Sequence, residues 1–234
     1  NNDIPFSLTE TDKGIFAIIC GDISGNPNQT IDWIKNNLHQ GIFVEGNHIG
    51  YDSEHSIQYL ENMLYKQFPA TAPITYLKDI YKIIDDIVFV GGILWTDFGL
   101  YGKEWKSLYK IYATQLMNDF KYNYVNLEYQ NQENELNFAD LLKNEQIRKL
   151  RSSDAEQMFE HTLQNIKNTC ERFPDKKIVV VTHHAPSLKS IPDIYFTDKT
   201  TPAFASNLEH FILDHSNIKL WCHGHIHTAC DYHI

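Results

Sequence analysis

No stretch of this sequence approaches the roughly 18 uncharged apolar residues that a membrane-crossing helix needs. Asn1 to Phe6 also lack the basic-then-apolar order of a secretory leader. Cysteine is scarce: Cys20, Cys170, Cys222 and Cys230 are irregularly spaced, with no Cys-x-x-Cys pair among them. That excludes a disulfide framework and reads as reduced thiols in a cytoplasmic protein. Positive charge is short as well. Against 30 Asp and Glu stand 20 Lys and Arg, a net charge of −10. This argues against a general electrostatic grip on nucleic acid, although bound metal ions would create a local cationic pocket. Internal repeats, low-complexity linkers and composition breaks are missing too, so all 234 residues read as one domain.

What is present is a globular composition, 42% hydrophobic and 13% aromatic. Ile15–Cys20 is a short apolar run ending in Gly21-Asp22. A helix follows, with Thr30 as its cap and Ile31, Ile34 and Leu38 as its stripe, stopped by Gly41. Ile42–Val44 is the next strand and ends in Gly46-Asn47-His48. A second helix begins at Ser53, carries Ile57, Leu60 and Leu64, and closes at Pro69. Tyr81–Ile84 and Ile87–Val90 form a hairpin around Asp85-Asp86, leading to Ile93-Leu94-Trp95-Thr96-Asp97. From about 103 to 150 the chain is Tyr- and Asn-rich and reads as a helical and loop elaboration over the site. Ser153 and Glu156 form a capping box for a helix carrying Phe159, Leu163, Ile166 and Cys170. The strand Lys177–Thr182 runs into His183-His184-Ala185-Pro186. Ser206 caps a last helix, and the strand Ile218–Cys222 delivers His223-Gly224-His225-Ile226-His227.

Four apolar runs therefore end in metal-ligand side chains: Asp22, Asn47-His48, His183-His184 and His225-x-His227. One such ending is ordinary; four at strand ends of an α/β pattern are hard to explain as packing. The residue types suit a pair of cations. A carboxylate can bridge two ions, imidazole nitrogens hold first-row metals, and the Asn47 amide oxygen binds without cancelling charge. In an extended segment residues i and i+2 face one side about 6–7 Å apart, so His225 and His227 would each serve one ion. Such a pair holds a phosphate, activates a water and stabilises the leaving oxygen.

Gly21-Asp22, Gly46-Asn47-His48, His183-His184-x-Pro186 and Gly224-His225-Ile226-His227 together resemble the ordered motif series of the calcineurin-like metallophosphoesterases. That superfamily includes protein phosphatases, purple acid phosphatases and cyclic-nucleotide phosphodiesterases. Trp95-Thr96-Asp97-Phe98 and Val181–Ser187 further resemble a bacterial subgroup of small members. The resemblance implies an α/β sandwich of two mixed β-sheets flanked by helices. It implies a phosphatase or phosphodiesterase in which a hydroxide on a dinuclear centre of Mn²⁺, Fe or Zn²⁺ attacks a phosphorylated small molecule or other phosphoester. Carried over, Asp22 bridges both ions, Asn47, His183 and His225 complete one site, and His227 binds the other ion. His48 donates a proton to the leaving oxygen. The residues alone leave His183 and His184 as alternative ligands; the place directly after the strand favours His183. His184, His223 and Asp97 are expected behind the ligands or facing substrate, Asp97 equally as a loop cap. His39, His55, His161, His210 and His215 lie on helix patterns and read as solvated.

Two departures stand out. The Asp-x-His with which the family begins does not precede Asp22; Asp3 is followed by Ile4-Pro5. Little sequence follows His227, which together implies a chain trimmed at both ends relative to the family. Ile49 also stands where many members carry an acidic residue. The competing reading is a metal-binding pseudophosphatase or regulatory scaffold that retains one site. A metallo-β-lactamase is excluded, because His223, His225 and His227 are not followed by Asp-His.

Overall fold

Parallel strands covered on both faces carry apolar residues at nearly every position, and the runs named above do so. The computed structural model describes residues 14–127 and 146–234. In chain order its first half holds β1 (Ala17–Cys20), α1 (Pro27–Asn37), β2 (Gly41–Val44), α2 (Ile57–Gln67), β3 (Ile74–Tyr76), β4 (Tyr81–Ile84) and β5 (Ile87–Gly92). There follow α3 (Lys106–Leu116), α4 (Asp119–Tyr122), β6 (Tyr124–Asn126), β7 (Ile147–Lys149), α5 (Ser152–Arg172), β8 (Lys177–Thr182), α6 (Glu209–Asp214) and β9 (Ile218–Cys222). Residues 128–145 of the expected elaboration lie outside the described residues, as do Asp3 and its neighbours.

One sheet has the order β1-β2-β3, all parallel; the other has β4-β5-β8-β9, with an antiparallel β4–β5 hairpin and parallel pairs beyond it. Side-chain alternation builds the layers. Ile42 and Val44 of β2 meet Phe89 of β5 and Val179 and Val181 of β8 between the sheets. The intervening Phe43 turns outward onto Ile34 of α1 and Leu60 and Leu64 of α2, with Phe68 edge-on to its ring. Val88, Val90, Ile178 and Val180 face away from the first sheet onto Ile166 and Cys170 of α5. The result is helices, sheet, sheet, helix, the mixed α/β arrangement expected from the sequence. Because β1, β2, β8 and β9 have parallel partners, their C-terminal ends share one edge of this sandwich, where α/β sheets place their sites.

Helix starts differ from the expectations. Asn26 caps α1 through the Asn28 amide (3.0 Å), Pro27 takes the first helical position, and Thr30 is buried one turn inside. A proline fixed near φ −65° begins a helix more readily than it continues one. Ser56, not Ser53, caps α2. In α5 the returning carboxylate is Asp154, bonded to the Arg151 amide (2.8 Å), while Glu156 pairs with Lys106 and Lys110. Ser206 does not cap α6; its hydroxyl accepts from the Asp97 amide (3.3 Å).

The short α4 is placed by Asn123, which accepts from the Gly50 amide (3.2 Å) and donates to the Asn47 carbonyl (2.8 Å). The antiparallel pair β6–β7 then leads into Asp154, which is 1% exposed and receives Arg148 on both oxygens at 2.6 and 2.8 Å. Removing that carboxylate strands a largely buried guanidinium and an open helix start. Asp154→Ala is expected to cost about 3 kcal/mol in urea unfolding, and Asp154→Asn clearly less.

Candidate metal centre

Each strand end contributes one side chain to a common point. Just after β1, Asp22 takes a left-handed turn (φ 52°), which a short polar side chain tolerates, and turns its carboxylate towards β2. Its Oδ1 accepts from the His48 amide at 3.1 Å. Gly46 must be glycine here, because a Cβ would collide with that same oxygen. Gly21, at φ 93°, likewise leaves no room for a side chain against the His183 ring.

The donor set reads as a cation site. His183 Nδ1 lies 2.6 Å from the Cys20 carbonyl, which only accepts, so Nδ1 carries the proton and a neutral ring has a bare lone pair on Nε2. That Nε2 lies 2.9 Å from Asn47 Oδ1 and 3.1 Å from Asp22 Oδ2. Asn47 in turn donates its Nδ2 to Asp119 Oδ1 at 2.6 Å, which leaves its amide oxygen facing the imidazole. Asp22, His183 and His225 present ligand atoms that all lie within 4.8 Å of one another. Among the described residues, His225 Nε2 and Asp22 Oδ2 are buried without a hydrogen-bond partner. Buried acceptors turned towards one another are costly unless something positive sits among them.

Electrostatics agree. Burial raises the Asp22 carboxyl, but a positive His183 ring donating to it, joined by His48, outweighs burial and holds the group at about 2; with a neutral His183 a bound cation would take that positive place. Burial, then the neighbouring imidazoles of His184 and His183, push His225 well below the usual histidine range. His184 is pushed down to about 3, by burial first and His183 second. These last two rings are neutral at ordinary pH.

The structure divides the expected residues. Asp22, Asn47, His183 and His225 come together. His184 does not join them: its Nδ1 donates to the Ile93 carbonyl (3.2 Å) and its ring packs between Trp95 and His225. Of the two alternatives it is therefore His183 that supplies an atom to the group. His227 is exposed and outside it, because β9 ends at Cys222 and both His225 (φ 67°) and His227 (φ 55°) are left-handed. The extended His-x-His geometry expected from the sequence is not formed. His48 borders the group, with Nδ1 at 3.7 Å from Asp22 Oδ2, a 42% exposed side chain, and its ring stacked on Tyr51 at 4.2 Å. His223 turns aside to Ser190 (3.0 Å), and burial pushes its imidazole down. Asp97 acts as the loop cap, accepting from the Gly99 amide (2.9 Å) and pairing with Lys106 (3.0 Å).

Two participants were not found from the sequence. Asp119 reaches Asn47 from α4, 72 residues along the chain, and its carboxyl is raised by burial. Glu45, 2% exposed beside Asp22, is raised well above the usual carboxylate range by burial and then by Asp22's charge. Neither stands in a motif, and an acidic residue at a strand end or a loop ordinarily reads as solvated.

The sequence profile of the calcineurin-like phosphoesterase family matches residues 8–229. No curated protein sequence matches the chain. Among solved structures, one described as the phosphopantetheinyl hydrolase from Mycobacterium tuberculosis is similar, with a TM-score of 0.61 at 13% identity over 92% of this chain and 74% of that one. At that identity the likeness speaks for the fold. With the profile running over nearly the whole sequence, this chain belongs to the calcineurin-like phosphoesterase family.

Proposed function

We propose that this protein hydrolyses a phosphate mono- or diester with two divalent cations, Mn²⁺, Fe or Zn²⁺, held around Asp22. The observation that carries this reading is the meeting of Asp22 Oδ2, Asn47 Oδ1 and His183 Nε2, with the partnerless His225 Nε2 beside them. Three kinds of donor and an overall mixture of oxygen and nitrogen suit first-row divalent ions. When bound, such ions grip phosphoryl oxygens and lower the pKa of a water that attacks phosphorus.

The chain's own residues do the rest. Asp119 orients Asn47 so that its oxygen, not its NH₂, faces the centre. The Cys20 carbonyl fixes the His183 tautomer. His48, exposed at the rim and braced on Tyr51, hands its proton to the departing alcohol as the ester P–O bond breaks. The attacking water's spare proton returns to solvent. The second ion would draw on His227, which is exposed where Asn47, His183 and His225 are buried, so the two ions should bind with unequal strength.

Full-chain protein titrated with Mn²⁺ is expected to take up one ion tightly and a second more weakly, with His227→Ala removing only the second. A single ion together with no turnover of aryl phosphate mono- or diesters would favour the scaffold reading instead. Asn47→Ala should weaken the tight site, whereas His48→Ala should leave metal uptake intact and slow kcat by about 10²–10⁴-fold. Equal metal loss in both variants would overturn the division of roles. Asp119→Ala should lower Mn²⁺ affinity by about 10–100-fold, and Asp119→Asn much less, since its amide oxygen still accepts from Asn47.

A further inference from the structure

Beyond His48 lies an open pocket of about 250 Å³, lined by Tyr51, Tyr122, Tyr124, Lys149, Asp52 and Glu54. Ring contacts link its wall to His48 at the border of the centre. His48 stacks on Tyr51 at 4.2 Å, and Tyr51 meets Tyr122 at 5.5 Å. Lys149 Nζ lies 3.6 Å over the Tyr124 ring. Tyr51 is no loose surface ring: it is stacked under His48, and burial and then Asp119's charge raise its hydroxyl far above the usual phenol range. Tyr122, by contrast, leaves 48% of its surface in solvent. Tyr122, Tyr124 and Lys149 belong to the Tyr-rich elaboration seen in the sequence, and no step proposed above uses the rings of Tyr122 and Tyr124.

A proton donor to a leaving oxygen must touch that oxygen, so whatever the oxygen is attached to lies on the His48 side of phosphorus. The surface there is the tyrosine wall. Aromatic rings reward a flat π-system, and a cation beside them adds to that attraction. The charge of the rim points to what else the guest carries. Asp52 and Glu54 outnumber Lys149, so a second phosphate would meet net repulsion. Resting on the phosphoesterase reading, we propose that Tyr51, Tyr122 and Tyr124 form the leaving-group subsite, and that the substrate is a phosphoester whose alcohol bears a flat, uncharged aromatic ring system and no further phosphate. The reaction is the same: the water oxygen bonds to phosphorus, the P–O bond to the alcohol breaks, and the alcohol leaves with the His48 proton.

The test compares adenosine 5′-monophosphate with ribose 5-phosphate, two monoesters of the same sugar oxygen that differ in the aromatic base. With Mn²⁺ and the full chain, kcat/KM is expected to favour the nucleotide about tenfold, within the range that base–aromatic stacking gives. Tyr122→Ala should bring that ratio close to one, while Tyr122→Phe keeps it. A ratio near one in the unaltered protein, or a preference that survives Tyr122→Ala, overturns the subsite. Failure of the hydrolase reading would look different: neither ester, nor p-nitrophenyl phosphate, would be turned over. Adenosine and ribose binding, followed by NMR chemical shifts, then decides the matter. Adenosine shifts that disappear in Tyr122→Ala support the pocket on their own, and no adenosine binding rules it out.

Discussion

A single hydrogen bond, from His183 Nδ1 to the Cys20 carbonyl at 2.6 Å, ties the end of β8 in one sheet to the end of β1 in the other. The carbonyl can only accept, so this contact decides which imidazole nitrogen carries the proton and which offers a lone pair. It also sets the distance between the sheets at the edge where every ligand arrives. The Gly224 amide donates to the His183 carbonyl at 3.0 Å, which brings the chain after β9 to the same spot. Gly21 and Gly46 are what allow so close an approach, each standing where a Cβ would collide with a group of the site.

The arrangement is expensive for the protein alone. Asn47, His183 and His225 are nearly buried, and the polar atoms they direct inwards accept more readily than they donate. A fold tolerates such a cluster when ligand binding returns the desolvation cost, and local strain gathers at the same places. Asp22, His225 and His227 all adopt left-handed backbone conformations there. Two further histidines near the centre have different employment. His184 fills the space between Trp95 and His225, and His223 is engaged with Ser190. The loop Ile93–Phe98, itself left-handed at Leu94, Trp95 and Phe98, acts on the centre by fixing His184.

The segment between β5 and α5 gives this version of the fold its individual character. Asp119 of α4 brings a carboxylate to Asn47 from far along the chain. Asn123 anchors α4 to the turn that carries Asn47 and His48. The same segment supplies Tyr122 and Tyr124, so what orients Asn47 and what shapes the neighbouring pocket belong to one stretch of chain. Tyr51 joins the two, with its ring under His48 and against Tyr122.

The longer strands were legible in the sequence because they depend on local patterning: Lys177–Thr182 and Ile218–Cys222 appear as read, while the short Ile74–Tyr76 and the order within the sheets were not read. The gathering of side chains at the strand ends was legible for the same reason, since Asp22, Asn47, His183 and His225 each stand within three residues of the end of an apolar run. Helix caps were less so. Asn26, Ser56 and Asp154 are one of several polar candidates within a few residues, and which of them caps depends on the angle at which the chain enters. The exposed place of His227 and the recruitment of Asp119 belonged to tertiary structure alone. Those outcomes are set by backbone dihedrals past the last strand residue and by contacts across 70 or more positions, and neither leaves a periodic trace in the chain.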